Sequence, residues 1–174
     1  MIGGVPTFAD RAVATSWRTA AVLSCALTLA GSILMSPPAG ADNKRLNDGV
    51  AVNVHTIHRQ QNCSEDVVVN PQLQLAAEWH TNDVLNNRAL NGDTGSDGSS
   101  VQDRANAAGY RGTVAESVAI NPALAISGIE ILRQWYSNPA YLSIMRDCAY
   151  TQVGVWSANS LDRTVVVAVY GRPQ

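Results

Sequence analysis

The chain has 174 residues, 46% of them hydrophobic, and its twelve Lys and Arg against fourteen Asp and Glu give a net charge of −2. That is enough apolar material for one compact domain. With no basic stripe and no block of like charge, nucleic acid and anionic membrane surfaces are poor candidate partners. Near the N-terminus, Arg11 and Arg18 precede a run from Thr19 to Met35 that carries no charge and leads into Pro37-Pro38-Ala39-Gly40-Ala41. A basic region, an apolar core and a small-x-small triplet mark a secretory leader, so residues 1–41 are expected to be removed, leaving 42–174 as one secreted domain. Two alternatives stay open. The run could be retained as an anchor, although it is short and holds Ser24, Thr28, Gly31 and Ser32. Cys25, in the lipobox-like Val22-Leu23-Ser24-Cys25, could instead be acylated. No later segment is apolar enough to span a bilayer.

In chain order, Leu46, Val50, Val54 and Ile57 mark the apolar stripe of a first helix. Asn-Pro then recurs at residues 70–71, 121–122 and 138–139, each time before a helical pattern. Asn is a strong N-cap and Pro suits the first helical position, so three helix starts are predicted. After Pro71, Leu73, Ala76, Ala77, His80 and Val84 share one face; after Pro122, Ala125, Ile129, Leu132 and Tyr136 do so. Asn91 to Ser99 is a loop dense in Gly, Asp and Ser, and Ser100 with Asp103 forms a capping box opening a short helix that ends at Gly109. Ala115–Ile120, Gln152–Trp156 and Thr164–Tyr170 read as strands, the last two joined by a turn through Asn159, Ser160 and Asp162. Early helices and late strands predict an α+β fold, a small antiparallel sheet covered by helices.

Two cysteines remain after residue 41, Cys63 and Cys148. An even count in an oxidising compartment predicts one disulfide, with two buried free thiols as the alternative. A bridge would close 85 residues of chain and stabilise by about 4–5 kcal/mol on the chain-entropy account. His55 and His58 stand at i and i+3 on the first helix and could chelate a metal, but no third ligand accompanies them, so a solvated helix face is expected. No G-x-S-x-G elbow is present, and turn chemistry explains Ser96, Ser99 and Ser100.

Six segments together resemble the CAP superfamily, the cysteine-rich secretory and pathogenesis-related type. They are Leu46–Gln61 with Asn53; Asn70–Leu73 followed by Ala76–Asp83; Asp93–Ser100 with Asp103, Arg104, Gly109 and Tyr110; Ala115–Ala119; Trp135–Pro139; and Gly154–Trp156. The flavour is that of short CAP proteins secreted by mycobacteria. The resemblance implies an α-β-α sandwich and a cavity in which two His and acidic residues can hold a divalent metal. Here Asp93 and Tyr141 stand where the two His would fall, and Ser117 follows Glu116 where Asn is usual. Two carboxylates without imidazole make a poor Zn²⁺ site, so neither a metal nor another cofactor is expected.

Asp93, Glu116, Tyr141 and His80 are therefore the ligand-cavity candidates, with no catalytic residue among them. His80 is weighed against a hydrogen-bonded histidine on a half-buried helix face, and Glu116 against a carboxylate anchored by Arg104 or by backbone N–H groups. The function expected is a monomeric extracellular or cell-envelope module that binds a lipid-like or protein ligand. The alternative is a protease-like hydrolase using Glu116 and Asp93 as an acid–base pair.

Overall fold

The computed structural model describes residues 39–174, with side chains from residue 43 onward. Residues 1–38, with the charged and apolar parts of the leader and Cys25, therefore lie outside the described residues, while the expected cleavage site falls in the first turn of the first helix. In chain order the elements are α1 (Ala39–Gln60), β1 (Val68–Val69), α2 (Pro71–Asn86), α3 (Val101–Ala107), β2 (Gly112–Asn121), α4 (Gly128–Ser137), α5 (Pro139–Arg146), β3 (Gln152–Ser160) and β4 (Arg163–Pro173). The sheet runs β1-β3-β4-β2. Its β3–β4 and β4–β2 pairs are antiparallel, as the alternating patterns required, while two-residue β1 pairs parallel to β3. The α+β, three-layer arrangement expected from the sequence is the one observed.

Strand β4 explains the layers. It lies between two strands and is buried from Arg163 to Gly171. Successive side chains point to opposite faces. Val165, Val167 and Val169 pack with Leu73, Ala76, Ala77 and Val84 of α2. Val166, Ala168 and Tyr170 pack with Val50, Val54, Ile131, Trp135 and Met145 of α1, α4 and α5. A strand covered on both faces reads as a continuous apolar run, which is what Thr164 to Tyr170 is.

Close approach fixes α2 on the sheet. A Cβ on Gly154 would collide with the backbone of Leu73 and Gln74, so glycine lets the first turn of α2 lie directly on β3. Asn70 caps that turn, its Oδ1 accepting from the backbone N–H groups of Gln72 at 2.9 Å and Leu73 at 3.2 Å. Asn138 does the same for α5. Ser100 and Asp103 form the capping box of α3, and Gly109 follows that helix with a φ of 87°.

The chain differs from the sequence expectation in three places. Asn121-Pro122 opens no helix; Asn121 closes β2, its Nδ2 donates to the carbonyl of Ala125 at 2.7 Å, and α4 starts later, capped by Ser127. The helical phase shifts with the start, so Ile131 and Trp135 form the buried face, while Ile129 is 81% exposed. The β3–β4 turn is tighter than expected: Ser160 pairs with Arg163 and only Leu161 and Asp162 lie between them. His58, expected on a solvated face, is buried, whereas His55 sits 3.5 Å from Asp66 at the surface. The disulfide between Cys63 and Cys148 is formed, with Cα atoms 5.3 Å apart. Among the described residues no helix is long and apolar enough to cross a membrane.

Candidate functional site

Three elements converge on one buried carboxylate. Glu116 lies on β2, on the same face as Val114 and Val118, and is therefore aimed at α2 and α3. Arg104 comes from α3. Its Nη2 donates to both Glu116 oxygens, at 3.1 and 3.2 Å, and to the carbonyl of Asp93 at 2.7 Å. Its Nη1 donates to the carbonyl of Ser99 at 2.8 Å and to the Ser99 hydroxyl at 3.2 Å. His80 comes from the buried face of α2, with Nε2 2.9 Å from the carbonyl of Gly92 and 3.4 Å from Glu116 Oε1. One guanidinium and one imidazole thus tie the 91–99 loop to the sheet. Asp83 secures the loop from the other side, accepting from the Ser96 N–H and hydroxyl at 2.7 and 2.6 Å.

Burial governs the charges here. It pushes the Glu116 carboxyl up to about 8, against the opposing pull of Arg104. It holds the His80 imidazole below its usual range, with the Gly92 carbonyl pulling the other way. At neutral pH the cluster therefore keeps a neutral histidine, a fixed guanidinium and a carboxyl poised to hold its proton. Glu116 resembles a general acid only in this respect. Its side chain is wholly enclosed beneath Arg104 and His80.

The four cavity candidates are not equivalent. Glu116 and His80 are within 3.4 Å of each other. Asp93 joins them through its backbone carbonyl rather than its carboxylate. Tyr141 sits on α5 against the opposite hydrophobic cluster, and its phenol is pushed up by burial and by the nearby charges of Asp93 and Glu116. It makes no hydrogen bond to either carboxylate. The Asp93 carboxylate makes no hydrogen bond to Glu116, although its charge reaches both Glu116 and His80 and raises their proton affinity. The divalent metal that the resemblance implies does not fit, since Arg104 already occupies both Glu116 oxygens. Among the described residues no three His, Cys, Asp or Glu side chains gather as a metal site requires.

Above the cluster runs a groove of about 560 Å³, with Trp79, Asp83, Ser96, Asp97 and Asp103 around it and His80 and Arg104 in its floor. Trp79 was not singled out by the sequence reading, because stripe arithmetic set it off the buried face of α2. Its signal was the spacing Trp79–Asp83, one turn apart on a single helix edge. A second pair of grooves, about 680 and 510 Å³, lies between α1 and the β1–β3 edge of the sheet and shares Asp48 and Val69.

Residues 52–170 match the CAP, or cysteine-rich secretory protein, family, and the chain belongs to it. No curated protein matches. Among solved structures, an outer surface protein from Borrelia burgdorferi superposes with a TM-score of 0.66 at 13% identity, covering 76% of this chain and 96% of that one. An extracellular SCP-domain protein from Bacillus anthracis gives 0.61 at 14% identity, over 79% of this chain and 45% of that one. A cysteine-rich secretory protein from Staphylococcus aureus gives 0.56 at 10% identity, over 76% and 40%. This chain thus spans less than half of each of the last two. These likenesses establish the fold, and the first two of those proteins are described as an outer surface and an extracellular protein.

Proposed function

We propose that the chain is a secreted or cell-envelope binding module that acts as a monomer and performs no chemistry of its own. The observation that carries this reading is the enclosure of Glu116. The carboxyl whose proton affinity is raised most is sealed under Arg104 and His80, where it builds the 91–99 loop instead of meeting a substrate. What remains open to solvent is groove, not a reactive centre. Of the lipid-like and protein ligands considered, a lipid-like chain suits the grooves beside α1. Their volumes fall within the usual range for small-ligand sites, and Val52, Val67, Val69, Val153 and Trp156 supply apolar wall. Val52 and Val69 are 64% and 58% exposed, so an acyl chain lying there would bury surface now facing water.

Titration of the secreted protein with a fluorescent long-chain fatty acid tests the reading. Saturable binding is expected, weakened about tenfold, or roughly 1.4 kcal/mol, by Val52→Asp and retained in Glu116→Gln. Absence of saturable binding would remove the lipid-like ligand. Turnover of peptide or ester substrates that is lost in Glu116→Gln would overturn the non-catalytic assignment.

A further inference from the structure

Glycine follows an Asp or Asn at Asp48-Gly49, Asn91-Gly92 and Asp97-Gly98, and the fold treats these pairs differently. Gly49 lies inside α1, where the helix holds its backbone nitrogen. At Asp97-Gly98 both partners are engaged: the Gly98 N–H donates to the carbonyl of Gly95 at 2.9 Å, and the Asp97 carboxyl accepts from the Ser99 N–H at 2.9 Å. Asn91-Gly92, the sole Asn-Gly pair of the chain, lies in irregular backbone with Asn91 exposed. Among the described residues, neither the Asn91 side chain nor the Gly92 N–H makes a hydrogen bond. The carbonyls around this junction are all held. That of Leu90 accepts from Arg163 Nη2 at 3.1 Å, that of Gly92 lies 2.9 Å from His80 Nε2, and that of Asp93 accepts from Arg104 Nη2 at 2.7 Å.

We propose that Asn91-Gly92 is a self-modifying site, whose conversion to isoaspartate detaches the Gly92 carbonyl from His80 and loosens the 91–99 loop. The Gly92 N–H gives its proton to water or hydroxide, and the nitrogen attacks Cγ of Asn91. The Cγ–Nδ2 bond breaks and ammonia leaves. Both groups belong to adjacent residues, so the ring closes without a partner or cofactor. Gly92 has no Cβ, which leaves its nitrogen open and the backbone free to turn. Water then opens the cyclic imide. Opening at Cγ gives aspartate, whereas opening at the backbone carbonyl gives isoaspartate, in which the main chain runs through Cβ and Cγ and gains an atom. With the Leu90 and Gly92 carbonyls both held, the added atom must break one contact. The bonds from Arg163 and Arg104 are charge-assisted, while the His80 imidazole, kept neutral by burial, makes an ordinary one and yields first. The change also adds a negative charge beside Asp93. It is stoichiometric, and depends neither on the acyl ligand nor on the non-catalytic reading of the chain.

Ageing of the secreted protein in mildly alkaline buffer, followed by peptide mass spectrometry and isoaspartate-specific methylation, tests the site. Asn91 should gain one mass unit and become methylatable ahead of every other Asn, while Asp48 and Asp97 stay unisomerised. In Gly92→Ala the new Cβ meets nothing within 4 Å and φ is not left-handed, so the fold is kept. Conversion in that variant should slow at least about tenfold. Loop release is read separately by NMR. In aged protein the His80 ring and the Gly92–Ser99 amides should shift, and exchange of those amides should rise at least about tenfold. Freshly made Asn91→Asp carries the charge without the extra atom and should match the unaged protein. Conversion of Asn91 no faster than that of exposed Asn62, or no slowing in Gly92→Ala, would remove the site. Isoaspartate formation with the His80 and loop signals unchanged, or changes reproduced in full by Asn91→Asp, would overturn the release.

Discussion

Glu116 was legible in the sequence as a carboxylate on a strand, and Arg104 was one of its two foreseen anchors. What could not be read was depth, because enclosure depends on α2 and α3 closing over β2 from distant parts of the chain. That depth has a pH signature. A carboxyl whose folded value is about 8 rather than 4.5 keeps its proton in the native state while the unfolded chain loses it. Its stabilisation is complete below the unfolded value and is lost as pH rises toward 8, with a slope of up to about 1.4 kcal/mol per pH unit. The His80 and His58 imidazoles are both lowered by burial, so their contribution is present above the ordinary value of 6.5 and lost as pH falls below it. Below 6.5 two histidines oppose one carboxyl, and above 6.5 the carboxyl acts alone. Urea unfolding across pH should therefore give maximal stability close to pH 6.5 and a decline toward pH 8. In Glu116→Gln the alkaline decline should disappear; its persistence would assign it to another group. His58 itself was readable, since it stands four residues after Val54 on the stripe that Val50 and Val54 define, yet pairing it with His55 placed it on the wrong face.

The elements show why one dipeptide served two different ends, capping helices at Asn70 and Asn138 and closing a strand at Asn121. Asn-Pro predicts a helix start because an extended residue, a side-chain acceptor and a missing N–H all suit that junction. The same extended backbone also suits the end of a strand, and at Asn121 the neighbouring strand decides. That residue pairs with Thr164, and its amide turns inward to the Ala125 carbonyl. Local sequence cannot separate the two uses, and the tertiary pairing does. Strand β1 escaped for a related reason, since two residues hold no alternation to read. The caps themselves are testable. Asn70→Ala removes an acceptor from two N–H groups of α2 and a 2.8 Å bond to Gln152, and should cost about 1–2 kcal/mol in denaturant unfolding. Asn121→Ala removes one exposed turn bond and should cost less than about 1 kcal/mol. Equal losses in the two variants would mean that capping does not distinguish them.

At the scale of the molecule, the disulfide and the two-sided sheet answer the same problem. The chain leaves α1 at Gln60 and does not return to that corner until residues 147–151, after α2, α3, β2, α4 and α5 have been laid down. Cys63 and Cys148 close this excursion of 85 residues, and the surrounding contacts are modest. Val68 and Val69 are exposed on the two-residue edge strand, and Arg172 reaches Asp147 at 3.4 Å on the surface. The bridge therefore supplies what packing does not, by removing open conformations from the unfolded chain, about 4–5 kcal/mol on the entropic account. The Cys63 N–H also donates to the carbonyl of His58 at 3.2 Å, and both ring nitrogens of that buried histidine lack a partner in the protein. Two effects then follow from Cys63→Ser with Cys148→Ser. Global stability should fall by several kcal/mol, on the order of the chain-entropy figure. Amide exchange should accelerate first around 57–69 and 146–153, while the β2–β4 ladder keeps its protection until the whole domain unfolds. Retention of full stability, or exchange rising first in β2 and β4, would show that this corner is held by packing and not by the bridge.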